Sequence, residues 1–196
     1  MKIILSTRNP SKIKQVKALF LGSLISVSTL EETGIQGEGI EDGATLQENS
    51  LKKALFAHQP GQWSMADDSG LFITALDGAP GVKSGRWAGE NATTDEITKH
   101  TLKTLQEKTD RSAFFETVVT LISPEGKEYF FSGKVHGHLL REPKVPPQPK
   151  MPYSSIFSPN GINKVWAEMT TEEENNLSHR GQAFRQIREF LENHKN

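Results

Sequence analysis

Met65-Ala66-Asp67-Asp68-Ser69-Gly70-Leu71-Phe72-Ile73 is an apolar run interrupted by two adjacent carboxylates and a hydroxyl. If the segment is one strand, neighbouring side chains point to opposite faces, so Asp67 and Asp68 cannot both enter one cleft. One would face the chemistry and the other would support it. If the strand instead ends at Met65, the acids belong to a solvated Asp-Asp-Ser-Gly turn, for which Gly70 is well suited. The choice decides whether charge is built into a sheet or displayed on a loop.

Upstream, Lys2 to Ser6 is a short β-rich apolar run, followed by Thr7-Arg8-Asn9-Pro10-Ser11-Lys12. Ile13, Val16, Leu19 and Phe20 then recur at helical spacing, with Asn9 as N-cap and Pro10 as the first helical residue. Such a strand–loop–helix junction aims free backbone N–H groups and the positive end of the helix dipole at the loop, which makes an anion site. Lys12 and the hydroxyls of Thr7 and Ser11 would add to it. An ordinary capped helix has the same pattern, and no Walker arrangement of glycines is present. Next, the acidic, glycine-rich run from Gly34 to Gly43 leads to a helix starting near Leu46, with Thr45 and Glu48 at capping-box spacing. Glu48 is therefore read as a cap. Glu38, Glu41 and Asp42 are left as candidate cation ligands or as solvated loop acids. Of Lys52 and Lys53, one can reach a phosphate while the other stays in solvent.

Downstream, Leu76 to Glu90 carries the turn pairs Asp77-Gly78 and Pro80-Gly81, with Arg86 and Trp87 as large side chains. Thr94 to Leu105 reads as a helix, and Phe114 to Gly137 as two strands joined by Ser123-Pro124-Glu125-Gly126. Glu142 to Pro152 is too rich in proline for a helix or central strand and is expected to be an extended loop. From Thr171 onward the chain is helical, with Thr171 and Glu174 at capping-box spacing. A fresh helix start is expected at Ser178-His179-Arg180-Gly181, capped by Ser178.

The chain has 196 residues, 23 basic and 24 acidic, for a net charge of -1. That length suits one domain, residues 1–196, with room for two lobes. The charge balance argues against a nucleic-acid partner, which would need a surplus of lysine and arginine. Absence of cysteine excludes disulfides and thiolate metal sites, so a metal would be held by oxygen or imidazole. No apolar segment is long enough to span a bilayer, and the expectation is a soluble, cytoplasmic α/β protein without a membrane partner. A lysine near a strand–helix loop, oxygen ligands, paired carboxylates and a His-Arg pair at a helix start together suggest a polyphosphate site. There, cations would neutralise phosphate oxygens and one carboxylate would deprotonate an attacking water.

The segments Ser6 to Lys12, Asp42 to Ala54, Ala66 to Leu71, Gly78 to Glu90 and Ser178 to Ala183 resemble the inosine triphosphate pyrophosphatases in order and spacing. The resemblance implies a long twisted mixed sheet with flanking helices in two lobes, an active cleft between them and a homodimer. It also implies magnesium-dependent hydrolysis of a purine nucleoside triphosphate to the monophosphate and pyrophosphate, with manganese as a substitute metal. Position by position, it makes Asp68 the general base and a metal ligand, Asp67 a neighbour reaching the metal through water, and Glu41 the acidic ligand before the helix, with Glu38 as the alternative. Thr7, Arg8, Asn9, Lys12, Lys53, Ser69, His179 and Arg180 fall at substrate-contacting positions, and Tyr153 and Ser154 fall in the base pocket. Arg8 stands where the family usually has glycine, so it could reach a phosphate or crowd it. Pro152 and Ser154 replace a glycine and an aspartate, and Glu174 stands where a base-contacting lysine is expected. Glu174 is either a helix cap or an acceptor favouring a base that carries N–H groups. A nucleotide-binding protein without turnover is the competing reading.

Overall fold

A computed structural model describes residues 1–193. In chain order the strands are β1 (Lys2–Leu5), β2 (Ser26–Thr29), β3 (Trp63–Ile73), β4 (Pro80–Gly81), β5 (Ser112–Ile122), β6 (Glu128–Leu139) and β7 (Phe157–Pro159). The helices among the described residues are α1 (Pro10–Phe20), α2 (Leu46–Ala57), α3 (Thr94–Thr104), α4 (Thr171–Leu177) and α5 (His179–Asn193). The strands form one sheet in the order β2-β1-β3-β5-β6-β7, with β4 attached to β3. β1 pairs in parallel with β2 and β3, and all other pairings are antiparallel. The sheet is therefore mixed, as expected.

β3 runs without interruption from Trp63 to Ile73, and its ladder with β5 continues from Ser64↔Ile122 to Ile73↔Ala113. The two acids are thus ladder residues, paired with Val119 and Val118, and the turn alternative is corrected. What keeps the strand going past Met65 is the antiparallel partner: β5 supplies a backbone hydrogen-bonding edge on which charged side chains are tolerated because helices on each face carry countercharges.

Two apolar clusters divide the molecule. One gathers Ile3, Leu5, Val16, Phe20, Met65, Val119 and Leu121 against Phe184, Ile187 and Leu191 of α5. The other gathers Leu71, Ile73, Phe115, Leu139, Phe157 and Trp166 with Ile97 of α3. β3 and β5 contribute to both, so the acids at the middle of β3 fall between the lobes. The Asn9 cap and Pro10 start of α1, the Thr45 cap of α2 and the Ser178 start of α5 all form as read. The proline-rich segment bridges the lobes: Pro149 O accepts from Ser11 Oγ at 2.9 Å, and Lys150 O from Asn9 Nδ2 at 3.4 Å. Three short strands, β2, β4 and β7, were not anticipated, since four, two and three residues are too few to show a period, and Pro80-Gly81, read as a turn pair, is β4.

Gly133 on β6 lies against the start of α5. An added Cβ would collide with the His179 carbonyl oxygen and sit 2.7 Å from Gln182 Cβ. Gly133→Ala is expected to lower unfolding free energy by about 1–3 kcal/mol in denaturant titration, because a backbone carbonyl cannot swing aside as a side chain can.

Candidate active site

Alternation along β3 sends the two acids to different partners. Asp67 faces α1 and α5, where its Oδ2 meets Lys12 Nζ at 2.9 Å and Arg180 Nε at 3.1 Å. Asp68 faces α2, where Oδ1 meets Lys53 Nζ at 3.1 Å and Oδ2 accepts from Asn49 Nδ2 at 3.1 Å. Both are buried, but their protonation diverges. Burial would raise the Asp67 carboxyl, yet Lys12, Arg180 and Lys53 outweigh it and hold it well below the usual carboxylate range. Burial raises the Asp68 carboxyl from its ordinary value, with Lys53 and Lys12 opposing. One acid is a fixed anion, and the other is closer to taking a proton, which is the division of labour a supporting carboxylate and a base require.

The loop before α1 brings Thr7, Arg8, Asn9 and Lys12 to the cleft. Asn9 Oδ1 accepts from the Ser11 and Lys12 backbone N–H groups, and Thr7 Oγ1 accepts from Asn9 N at 3.2 Å. Burial lowers the Lys12 ammonium below its ordinary value, with Asp67 opposing. Arg8 borders the cleft with its guanidinium held by the acidic segment. It donates to Ile35 O at 2.8 Å and Gly37 O at 3.0 Å, with Glu38 Oε1 at 4.0 Å, and so tethers the acidic segment. Ser11, directed to Pro149, does not line this cleft.

Within the acidic segment, Glu41 is the acid that meets Asp68. Lys53 Nζ sits 2.6 Å from Glu41 Oε1 and 3.1 Å from Asp68 Oδ1, so two carboxylates converge on one cationic point. Burial would lower the Lys53 ammonium, but Asp68 and Glu41 raise it. From the other lobe, Arg86 Nη2 donates to Glu41 O at 2.8 Å. Asp42 pairs with Lys52 in solvent, which leaves Lys53 as the lysine of the cleft. Among the described residues no group of three or more His, Asp or Glu side chains is arranged to hold a metal. The donor chemistry nevertheless fits a hard divalent ion: Glu41 and Asp68 offer oxygens at a shared cation position, and magnesium is commonly held by one or two carboxylates together with substrate phosphates. Asp67 lies on the opposite strand face from that pair.

At the other side of the cleft, Ser69 Oγ contacts Asp67 Oδ2 at 3.3 Å and Thr117 Oγ1 at 2.6 Å, and Thr117 in turn bonds His179 Nδ1. Burial, then Arg180, lowers His179 well below its ordinary value, so the ring is neutral and stacks on Phe115 with centroids 4.9 Å apart. Arg180 also donates to Gln15 Oε1 at 2.8 Å and Ser69 Oγ at 3.2 Å. Tyr153 and Ser154 line the cleft with their hydroxyls directed into the protein: Tyr153 donates to Ser84 O, and Ser154 donates to Met151 O and accepts from Gln148 N. Glu174 also lines the cleft and is buried.

The expected capping box at Thr171 and Glu174 is corrected. Thr170 is the N-cap, its Oγ1 accepting from Glu173 N at 3.2 Å while Glu173 Oε2 accepts from Thr170 N at 2.8 Å. Two threonines followed by three glutamates allow either register, and an ion pair from Lys164 to Glu173 at 2.7 Å accompanies the earlier one. Glu174 is thereby free of capping duty.

All the site residues read from sequence border the cleft of about 570 Å³ except Asp67, which supports Lys12 and Arg180 from behind. Sequence reasoning missed Asn49, Gln15, Thr117, Phe115, Gln148 and Trp166. Asn49 carried a signal, as the polar residue one position past the Glu48 cap. The others lie on segments whose pattern shows only strand, loop or helix.

A two-lobed α/β fold with a cation-lined interlobe cleft and raised carboxyls at Asp68 and Glu174 defines an enzyme-like phosphate-binding architecture. The chain belongs to the Ham1 family, whose model matches residues 3–190. It is similar to the dITP/XTP pyrophosphatase of a Thermoanaerobacter species, with 38% identity covering 97% of this chain and 96% of that one. Among solved structures it is similar to a HAM1 protein from Coxiella burnetii, with TM-score 0.85 and 34% identity, covering 98% of this chain and 99% of that one. The Staphylococcus aureus Ham1 protein matches over 100% of both chains, with TM-score 0.84 and 30% identity.

Asp67→Asn would leave Lys12 and Arg180 facing a neutral amide. Unfolding free energy at pH 7 is expected to fall by about 3–5 kcal/mol. The wild type should also lose stability as pH drops below about 4, where the unfolded carboxyl binds a proton that folded Asp67 refuses. Denaturant unfolding across pH should show that part of the acid decline missing from the variant.

Proposed function

We propose that this protein hydrolyses purine nucleoside triphosphates to the monophosphate and pyrophosphate. The observation that carries the reading is the buried, raised Asp68 carboxyl held between Lys53 and Asn49 in a cleft that Lys12 and Arg180 also line. The relatives named dITP/XTP pyrophosphatase support the same reaction class. Cleavage falls at the α–β anhydride: a water oxygen bonds to phosphorus, the bridging P–O bond breaks, and the water's proton passes to Asp68.

Lys12, Lys53 and Arg180 bind the phosphate oxygens, and Asp67 keeps Lys12 and Arg180 oriented and charged. Thr7 and the N-terminal N–H groups of α1 add neutral donors. Neutral His179, stacked on Phe115, provides a flat apolar wall beside the nucleotide, with Tyr153 and Trp166 nearby. Magnesium, or manganese in its place, would be held by Glu41 and Asp68, and when bound it neutralises phosphate charge. The family resemblance also carries a homodimer, which light scattering in solution would read.

Pyrophosphate release from a panel of purine triphosphates tests the reaction. Asp68→Asn is expected to lower kcat by about 100-fold or more while triphosphate binding persists. Turnover unchanged in that variant, or absent from the wild type with every purine, would overturn the reading. Chelation of divalent ions should abolish turnover, and added magnesium or manganese should restore it; full activity in excess chelator would remove the metal from the reaction.

A further inference from the structure

The two oxygens of Asp68 have different duties. Oδ1 faces the Lys53 ammonium at 3.1 Å, the cationic point that Asp68 shares with Glu41, while Oδ2 accepts from Asn49 Nδ2 at 3.1 Å. The terminal torsion of an aspartate is broad, so a carboxylate held at one oxygen alone can turn. The bond from Asn49 stops that rotation. Asn49 is 1% exposed and uncharged, so it fixes the carboxylate without competing for the cation position.

The amide is itself held from the other side. Asn49 Oδ1 accepts from Gly43 N at 2.7 Å, which leaves the NH₂ end for Asp68; the flipped amide would set donor against donor and acceptor against acceptor. Gly43 follows Glu41 and Asp42 in the acidic segment. One buried side chain therefore spans the strand acid and the backbone that carries the loop acid. The segment is seated closely on α2: a Cβ at Gly39 would lie 2.7 Å from Lys53 Cα, and a Cβ at Gly43 would lie 2.7 Å from Asn49 Oδ1. Ala44 N adds a bond to Glu48 Oε2 at 2.7 Å. When the Lys53 ammonium turns to a phosphate, the neutral, buried amide of Asn49 keeps its hold on Asp68.

We propose that Asn49 is a positioning residue for the hydrolysis: it ties the acidic segment to β3 and holds Asp68 Oδ1 toward Glu41, so that the two carboxylates converge on one point. The proposal rests on the hydrolysis reading above and adds a residue to that site. Asn49 does not line the cleft. It acts through Asp68 and the Gly43 backbone, in the way that groups bonded to metal-binding carboxylates orient them from behind.

Two variants test it, with inosine triphosphate and magnesium. Asn49→Ser has a hydroxyl too short to span both partners, and Gly43→Ala displaces the amide without removing it and carries the test if the serine variant does not fold. Each is expected to lower kcat by about 10- to 100-fold with KM little changed. Placed on Asp68→Asn, the same substitution should cost little more, because nothing remains to be positioned once the base is gone. Calorimetric titration of manganese, with α,β-methylene inosine triphosphate present to prevent turnover, should show weaker metal affinity in both variants. A merely structural role would shift denaturant unfolding while kcat of the folded protein and manganese affinity stay at wild-type values, and would overturn the proposal. Losses that multiply in the double variant would overturn it as well, since they mark independent effects. A wild type that turns over neither this nor any other purine triphosphate defeats the hydrolysis reading and the proposal with it, whereas an active wild type beside unaffected variants defeats the proposal alone.

Discussion

The ion pairs at Asp67 and Asp68 are the constraint on which the rest of the site depends. Adjacent residues on a strand must face opposite ways, so two charges at one point of the sheet demand countercharges from two separate layers. α1 and α5 supply Lys12 and Arg180 to one face, and α2 supplies Lys53 to the other. The same helices bury the apolar side chains of the first lobe. Electrostatic neutralisation and core packing thus fix the same helix positions, and the cations that balance the acids are the ones presented to the cleft.

Asymmetry between the two faces matters more than the number of charges. Asp67 meets two cations and is locked as an anion; Asp68 shares Lys53 with Glu41 and is raised. Arg8 shows the complementary case. Its charge is absorbed by backbone carbonyls of the acidic segment, which places Glu38 at the cleft edge and leaves Glu41 to meet Asp68 across Lys53.

Much of this was legible in the sequence because it rests on local rules. The caps at Asn9, Thr45 and Ser178, the long hairpin and the alternation at Asp67 and Asp68 follow from residue type and period alone. The His-Arg pair at a helix start was legible from the residues alone, whereas the choice of Lys53 over Lys52 and the substrate-contacting positions of His179 and Arg180 came from the family resemblance. What escaped depends on contacts between distant segments. Thr170 and Thr171 satisfy the same capping rule, and the chain settles the choice through Glu173 and Lys164. The inward or outward course of Arg8 was undetermined until the carbonyls of Ile35 and Gly37 were placed beside it. β2 and β7 exist because neighbouring strands offer them an edge, which short polar sequences do not announce.

The ladder between β3 and β5 passes unbroken beneath the cleft from one apolar cluster to the other. A floor of this kind ties the two clusters together through successive backbone pairs. At the rim, by contrast, Arg86 reaches Glu41 and the Pro149–Lys150 segment reaches Ser11 and Asn9 through a few separate hydrogen bonds. The cleft thus has a continuous ladder for its floor and a rim fastened by separate hydrogen bonds.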